Sequence, residues 1–102
     1  MPRHVKVAGA ADLGPGQSRL LRIGDREIVL FNVEGRFHAV KNSCPHRGVS
    51  LDHAGVESGV LICPGHGWQF DLETGDALHH PPLGLRCYRV DVREDGVWIE
   101  VP

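Results

Sequence analysis

No apolar run in these 102 residues approaches the roughly 20 needed to cross a bilayer, and the N-terminus lacks a charged-then-apolar leader. A membrane partner is therefore not expected, and the cytoplasm is the expected location. A basic stripe is missing too: 11 Lys and Arg stand against 13 Asp and Glu, for a formal net charge of −2. That balance excludes nucleic acid as a partner. The three cysteines, Cys44, Cys63 and Cys87, do not make a secreted disulfide framework. No window carries a helical period, although Val49 to Ala54 has room for a single turn. There is no internal repeat, no low-complexity segment and no nucleotide-binding loop. Nor is there a mononuclear iron site of two histidines and a carboxylate, or anything that reads as a substrate pocket. The length fits one domain, residues 1–102, with a modest core.

What is present is a succession of short strand patterns. Arg3 to Gly9 alternates polar and apolar residues, as an edge strand does. Ala11 to Gly16 is a turn. Ser18 to Ile23 and Glu27 to Val33 are apolar runs on either side of Gly24-Asp25-Arg26, which predicts a β-hairpin. A turn at Glu34-Gly35 leads to Arg36–Val40. Near the end, Tyr88, Val90 and Val92 alternate with charged residues; a turn at Glu94-Asp95-Gly96 precedes Val97, Ile99 and Val101. The pattern predicts an all-β fold, a small antiparallel β-sandwich or barrel base built from 1–41 and 84–102. Residues 42–83 form an insertion with short strands of their own at Val60–Cys63, Trp68–Leu72 and Ala77–His79.

The insertion holds the chemistry. Cys44-Pro45-His46 is answered seventeen residues later by Cys63-Pro64-Gly65-His66. Two thiolates and two imidazoles satisfy a tetrahedral zinc. They equally satisfy a [2Fe–2S] centre with two cysteines on one iron and two histidines on the other. The common zinc layouts pair Cys with Cys and His with His, whereas here the types are mixed within each pair and no helix is indicated.

At these residues the sequence resembles the Rieske family. The motif is C-x-H, a sixteen-residue gap, then C-x-x-H, and His46-Arg47-Gly48, Leu51 and Gly67-Trp68-Gln69-Phe70 match around it. The resemblance runs over nearly the whole chain. It implies a β-sandwich base carrying a cluster-binding subdomain, with one [2Fe–2S] cluster held by Cys44, His46, Cys63 and His66. Neutral imidazole donates less charge than thiolate, so the histidine-bound iron takes the electron. Pro45 and Pro64 would stiffen the loops, and Gly48, Gly65 and Gly67 would let the backbone approach the sulfides. Pro81-Pro82, between His80 and Leu83, falls where the family carries a proline loop over the cluster, with His80 a weaker neighbour. Trp68 is expected to pack beneath the second loop together with Phe70. Arg47, the proline loop and the histidine edges would form the docking rim.

High-potential members carry a disulfide where this chain has Val49 and Gly65, and hydroxyl donors where it has Trp68 and Phe70. A potential near the lower end of the Rieske range, about −150 mV, is therefore expected. Reduction should couple to proton uptake at the histidines in alkali, lowering the midpoint by about 59 mV per pH unit for each coupled proton. The implied function is that of a ferredoxin rather than an enzyme. It would carry electrons from a flavin-dependent reductase to a terminal oxygenase. A second possibility is the small subunit of an NADH-dependent nitrite reductase, partnered by the large subunit. From another class, a zinc-stabilised interaction module fits the same four ligands. Trp98 is read as a strand residue of the base, and His4, His38, His53 and His79 as surface or satisfied side chains. Cys87 shares the polar phase of Arg89 and is expected to be a partly exposed thiol that is not a ligand.

Overall fold

A computed structural model of the chain describes residues 3–9, 11–45, 48–65, 67–79 and 83–102. Its strands are β1 (Arg3–Ala8), β2 (Ser18–Ile23), β3 (Arg26–Val33), β4 (Arg36–Lys41), β5 (Gly55–Glu57), β6 (Val60–Ile62), β7 (Gln69–Asp71), β8 (Cys87–Tyr88), β9 (Val90–Arg93) and β10 (Gly96–Val101). They assemble into three antiparallel sheets ordered β1-β10-β9, β2-β3-β4-β8 and β5-β6-β7. No helix occurs among the described residues. The expected turn near Val49–Ala54 is a tight one, closed by the Ala54 N–H on the Leu51 carbonyl at 3.0 Å.

β3 explains the layering. Successive residues of a strand face opposite sides, and both sides of β3 are covered. Ile28 and Leu30 pack with Val97, Ile99 and Val101 of β10. Val29 and Phe31 pack instead with Leu51, Leu61 and Phe70. A strand covered on both faces has no polar phase, which is why this one reads as an apolar run rather than an alternation. The four-stranded sheet is thus the middle layer, with the β1-β10-β9 sheet on one side and the β5-β6-β7 sheet on the other. Each fully buried Ile or Leu in these layers contributes about 1.5–3 kcal/mol over its exposed state. One buried polar residue ties the β1–β2 connection to this layer: Asn32 Nδ2 donates to the Leu13 carbonyl at 2.8 Å, and its Oδ1 accepts the Gly35 N–H at 2.8 Å.

Three elements depart from the sequence reading: β5 (Gly55–Glu57) is one it does not contain, and two expected runs differ. The run expected from Tyr88 to Val92 is not one strand: β8 pairs with β4, and after Arg89 β9 pairs with β10 in another sheet. Arg89 is the crossover point, its carbonyl accepting the Glu100 N–H at 2.9 Å. Ala77–His79 is not a strand either; only Ala77 pairs, as an isolated bridge to Phe70. Trp98 lies on β10 as expected, its indole N–H donating to Asp95 Oδ1 at 3.0 Å.

Candidate metal centre

The two Cys-Pro loops leave and re-enter the structure where strands end. The first follows β4, and the second joins β6 to β7. Their backbones close in the same way. In the first, the Cys44 N–H donates to the Val49 carbonyl at 2.8 Å, and the Cys44 carbonyl accepts the Gly48 N–H at 2.7 Å. In the second, the Cys63 N–H donates to the Trp68 carbonyl at 2.8 Å, and the Cys63 carbonyl accepts the Gly67 N–H at 3.0 Å. The glycine four residues after each cysteine has almost the same left-handed conformation, φ 71° at Gly48 and 72° at Gly67. Such a φ is costly for any residue with a Cβ, so the repeated glycine is a requirement of the turn.

Both cysteines point inward. Cys44 is 1 % and Cys63 2 % exposed, and both belong to the buried cluster that contains Val29, Phe31, Leu51 and Phe70. Neither is in a disulfide. A buried thiolate is costly unless its charge is compensated, and a metal is the compensation that also fixes its direction. Among the described residues no group of three His, Cys, Asp or Glu is placed to hold a metal ion. The remaining members of the expected set, His46 and His66, lie outside the described residues, as do Arg47, His80, Pro81 and Pro82. The donor chemistry fits a metal–sulfur centre: two buried cysteines in congruent loops, each followed within three positions by a histidine.

The other expected neighbours are accounted for. Trp68 is half-buried against the same cluster, with its ring centroid 6.5 Å from that of fully buried Phe70. Gly65 is exposed and faces Val49. Leu78 and Leu83, on either side of the double proline, are 42 % and 39 % exposed. They are held near each other by the Ala77 N–H on the Leu83 carbonyl at 3.1 Å. Of the remaining histidines, His4 lies 3.5 Å from Glu100 and 3.7 Å from Asp91, and His38 is largely buried 4.0 Å from Glu73. His53 is exposed beside Asp52, and His79 is exposed. Cys87 sits on β8, exposed as a residue, with its sulfur 3.8 Å from the Leu85 carbonyl. Burial pushes its thiol pKa up, and the nearby Asp76 carboxylate adds to the rise.

Sequence reasoning missed Asn42. It is buried, and its Oδ1 accepts the Leu51 N–H at 2.6 Å while its Nδ2 donates to Glu27 Oε1 at 3.2 Å. An asparagine two residues before a cysteine reads only as a turn residue. Two surface hollows, of about 360 and 420 Å3, are lined by other parts of the chain. One lies among Pro15–Ser18, Phe31–Glu34 and Ala54–Ser58, the other among Gly35–Ala39, Leu72, Glu73 and β8–β9 residues. No described residue of either Cys-Pro loop borders them.

Comparison with known proteins agrees with this geometry. The family model described as Rieske [2Fe-2S] domain matches residues 3–89. The ferredoxin component of the alkene monooxygenase system of Xanthobacter autotrophicus is 37 % identical over 97 residues, covering 94 % of this chain and 80 % of that protein. Human apoptosis-inducing factor 3 is 34 % identical over 94 % of this chain, which spans only 15 % of that longer protein. Among solved structures, a chain from the complex of reduced oxygenase and oxidised ferredoxin in carbazole 1,9a-dioxygenase superposes with a TM-score of 0.83. It is 31 % identical, and the match covers 94 % of this chain and 91 % of that one.

Proposed function

Because this chain belongs to the Rieske [2Fe-2S] domain family, we propose that it is a one-electron carrier of the ferredoxin kind. It takes electrons from a flavin-dependent reductase and passes them to a terminal oxygenase. The family decides between the two metals that the four ligands left open, in favour of [2Fe–2S] over zinc. The observation that carries the reading is the pair of buried cysteines in identically closed loops. Two relatives of comparable length carry the names of ferredoxin components of oxygenase systems, one of an alkene monooxygenase and one of a 3-phenylpropionate/cinnamic acid dioxygenase. The chain is accordingly a component of such a system and has no catalytic residue of its own.

In this reading residues 42–83 are the cluster-binding unit. Cys44 and Cys63 would hold one iron as thiolates; His46 and His66 would hold the other through neutral ring nitrogens. When bound, the cluster supplies one reversible electron at the histidine-held iron. The chain's own part is to keep the sulfur side dry and the nitrogen side near the surface. Leu51, Leu61 and Phe70, all fully buried, do the first. We assign Arg47, Pro81, Pro82 and Leu83 to the docking of a partner, a small contact suited to rapid release. No helix among the described residues is long and apolar enough to cross a membrane, and we place the protein in the cytoplasm.

The test is direct. Protein purified without oxygen should be brown and hold two irons per chain. After dithionite reduction its EPR spectrum should have a mean g value below that of all-cysteine clusters. It should accept electrons from NADH through the reductase of a ring-hydroxylating oxygenase system and lose them to the oxygenase. A colourless zinc protein, or a spectrum unchanged by His46→Ser and His66→Ser, would overturn the assignment.

A further inference from the structure

The two Cys-Pro loops close alike but are stemmed differently. In the second, Leu61, two residues before Cys63, faces Phe70, seven residues after it, in the β6–β7 ladder. The same offsets from Cys44 fall on Asn42 and Leu51. Neither of these lies in a strand. Their link is the Asn42 side chain, whose Oδ1 accepts the Leu51 N–H at 2.6 Å. Leu51 and Phe70 are both fully buried in the same cluster, so the two stems hold equivalent anchors by different means.

We propose that the Asn42 side-chain amide is the positioning group of the first loop, standing in for the strand ladder that flanks the second.

Asn42 is held at three points, two of them on its side-chain amide. Its carbonyl end is taken by Leu51. Its NH2 end donates to Glu27 Oε1 at 3.2 Å, and the Asn42 main-chain N–H donates to the Glu27 carbonyl at 2.9 Å. Glu27 is itself held by Arg22, 2.8 Å from its second oxygen. An amide with an acceptor used at one end and a donor at the other has one orientation only. Asn42 is 8 % exposed, so a lost partner is not readily replaced by water. The closing bonds at Cys44, Gly48 and Val49 all lie between the two residues that this amide joins. A backbone ladder survives any side-chain change, whereas this stem does not. The stem of the first loop therefore depends on the Asn42 side chain. The chemical meaning of that dependence rests on the reading of Cys44 as a cluster ligand.

Hydrogen exchange of the intact holoprotein, followed by mass spectrometry on peptides covering 42–51 and 61–70, tests the proposal. Asn42→Leu keeps the size of the side chain and removes its hydrogen bonds. It should speed exchange in 42–51 by about tenfold while leaving 61–70 unchanged. It should also shift the EPR spectrum of the dithionite-reduced protein. Glu27→Ala, which frees only the NH2 end, should give the same pattern with smaller amplitude, and decides the matter if Asn42→Leu does not fold. Ile99→Val, in the core on the other face of the middle sheet, should lower stability and leave both readouts in place. Equal acceleration in the two loops, or none in the first, would overturn the proposal. Acceleration confined to the first loop with an unaltered EPR spectrum would uphold Asn42 as the group that places the loop and count against Cys44 as a ligand.

Discussion

Val49 and Gly65 meet where the two Cys-Pro loops touch: a Cβ added to Gly65 would lie 3.1 Å from Val49 Cγ2 and 3.8 Å from its Cβ. The second distance is about the mean Cβ separation across a disulfide, ~3.8 Å. Val49→Cys combined with Gly65→Cys should therefore oxidise in air to a bridge between the loops. Closing a segment of this length should add about 3 kcal/mol relative to the reduced form. Denaturation midpoints with and without reductant check it; a pair that stays as free thiols would show that the loops do not come this close.

The matched glycines make a different prediction. Among the described residues, a Cβ on Gly67 meets nothing within 4 Å, and one on Gly48 meets only Ser43 Oγ at 3.7 Å. Substitution by alanine at either is opposed by backbone conformation, not by crowding. Gly48→Ala and Gly67→Ala should each cost about 1–2 kcal/mol. Asparagine at the same positions should cost less, because it tolerates this conformation better. Urea unfolding of the four variants measures the order.

Cys87 should behave unlike the other two cysteines. Cys87→Ala should leave two irons per chain, while Cys44→Ser or Cys63→Ser should abolish the cluster, as iron analysis will report. Its thiol pKa is raised by burial and then by Asp76, so alkylation should be slow at neutral pH and appear only in alkali. The sign for stability follows from the folded state holding the proton more tightly than the unfolded one. The contribution is complete below the unfolded-state value and fades as pH rises through the alkaline range. Cys87→Ala should flatten that alkaline decline.

The two faces of the middle sheet should be separable by mutation. Phe70→Ala, on the side of Cys44 and Cys63, should cost about 3–5 kcal/mol and lower iron retention. Ile99→Ala, on the other side, should cost a comparable ~2–5 kcal/mol without moving the midpoint potential of the folded fraction. Potentiometry beside thermal unfolding distinguishes the two.

Much of this was legible in the residues themselves, and the misses have physical causes. Ser18–Ile23 was read to its ends because polar turns bound it on both sides. β5 went unseen because Gly55-Val56-Glu57 offers one apolar residue and no alternation. The split at Arg89 was hidden because period-2 alternation says which face a residue takes, but not which sheet it joins. Cys44 and Cys63 were evident from their spacing. Asn42 was not, since its role depends on meeting Leu51 and Glu27, which no local pattern encodes.

The pairing of β1 with β10 sets Arg3 opposite Val101, so β1 waits for a partner made after both Cys-Pro loops. During synthesis the outer sheet cannot close until β10 has left the ribosome. Both Cys-Pro loops emerge well before that. Contacts between such distant segments slow folding, so the outer sheet is the late-closing layer, on the face of the middle sheet away from Cys44 and Cys63.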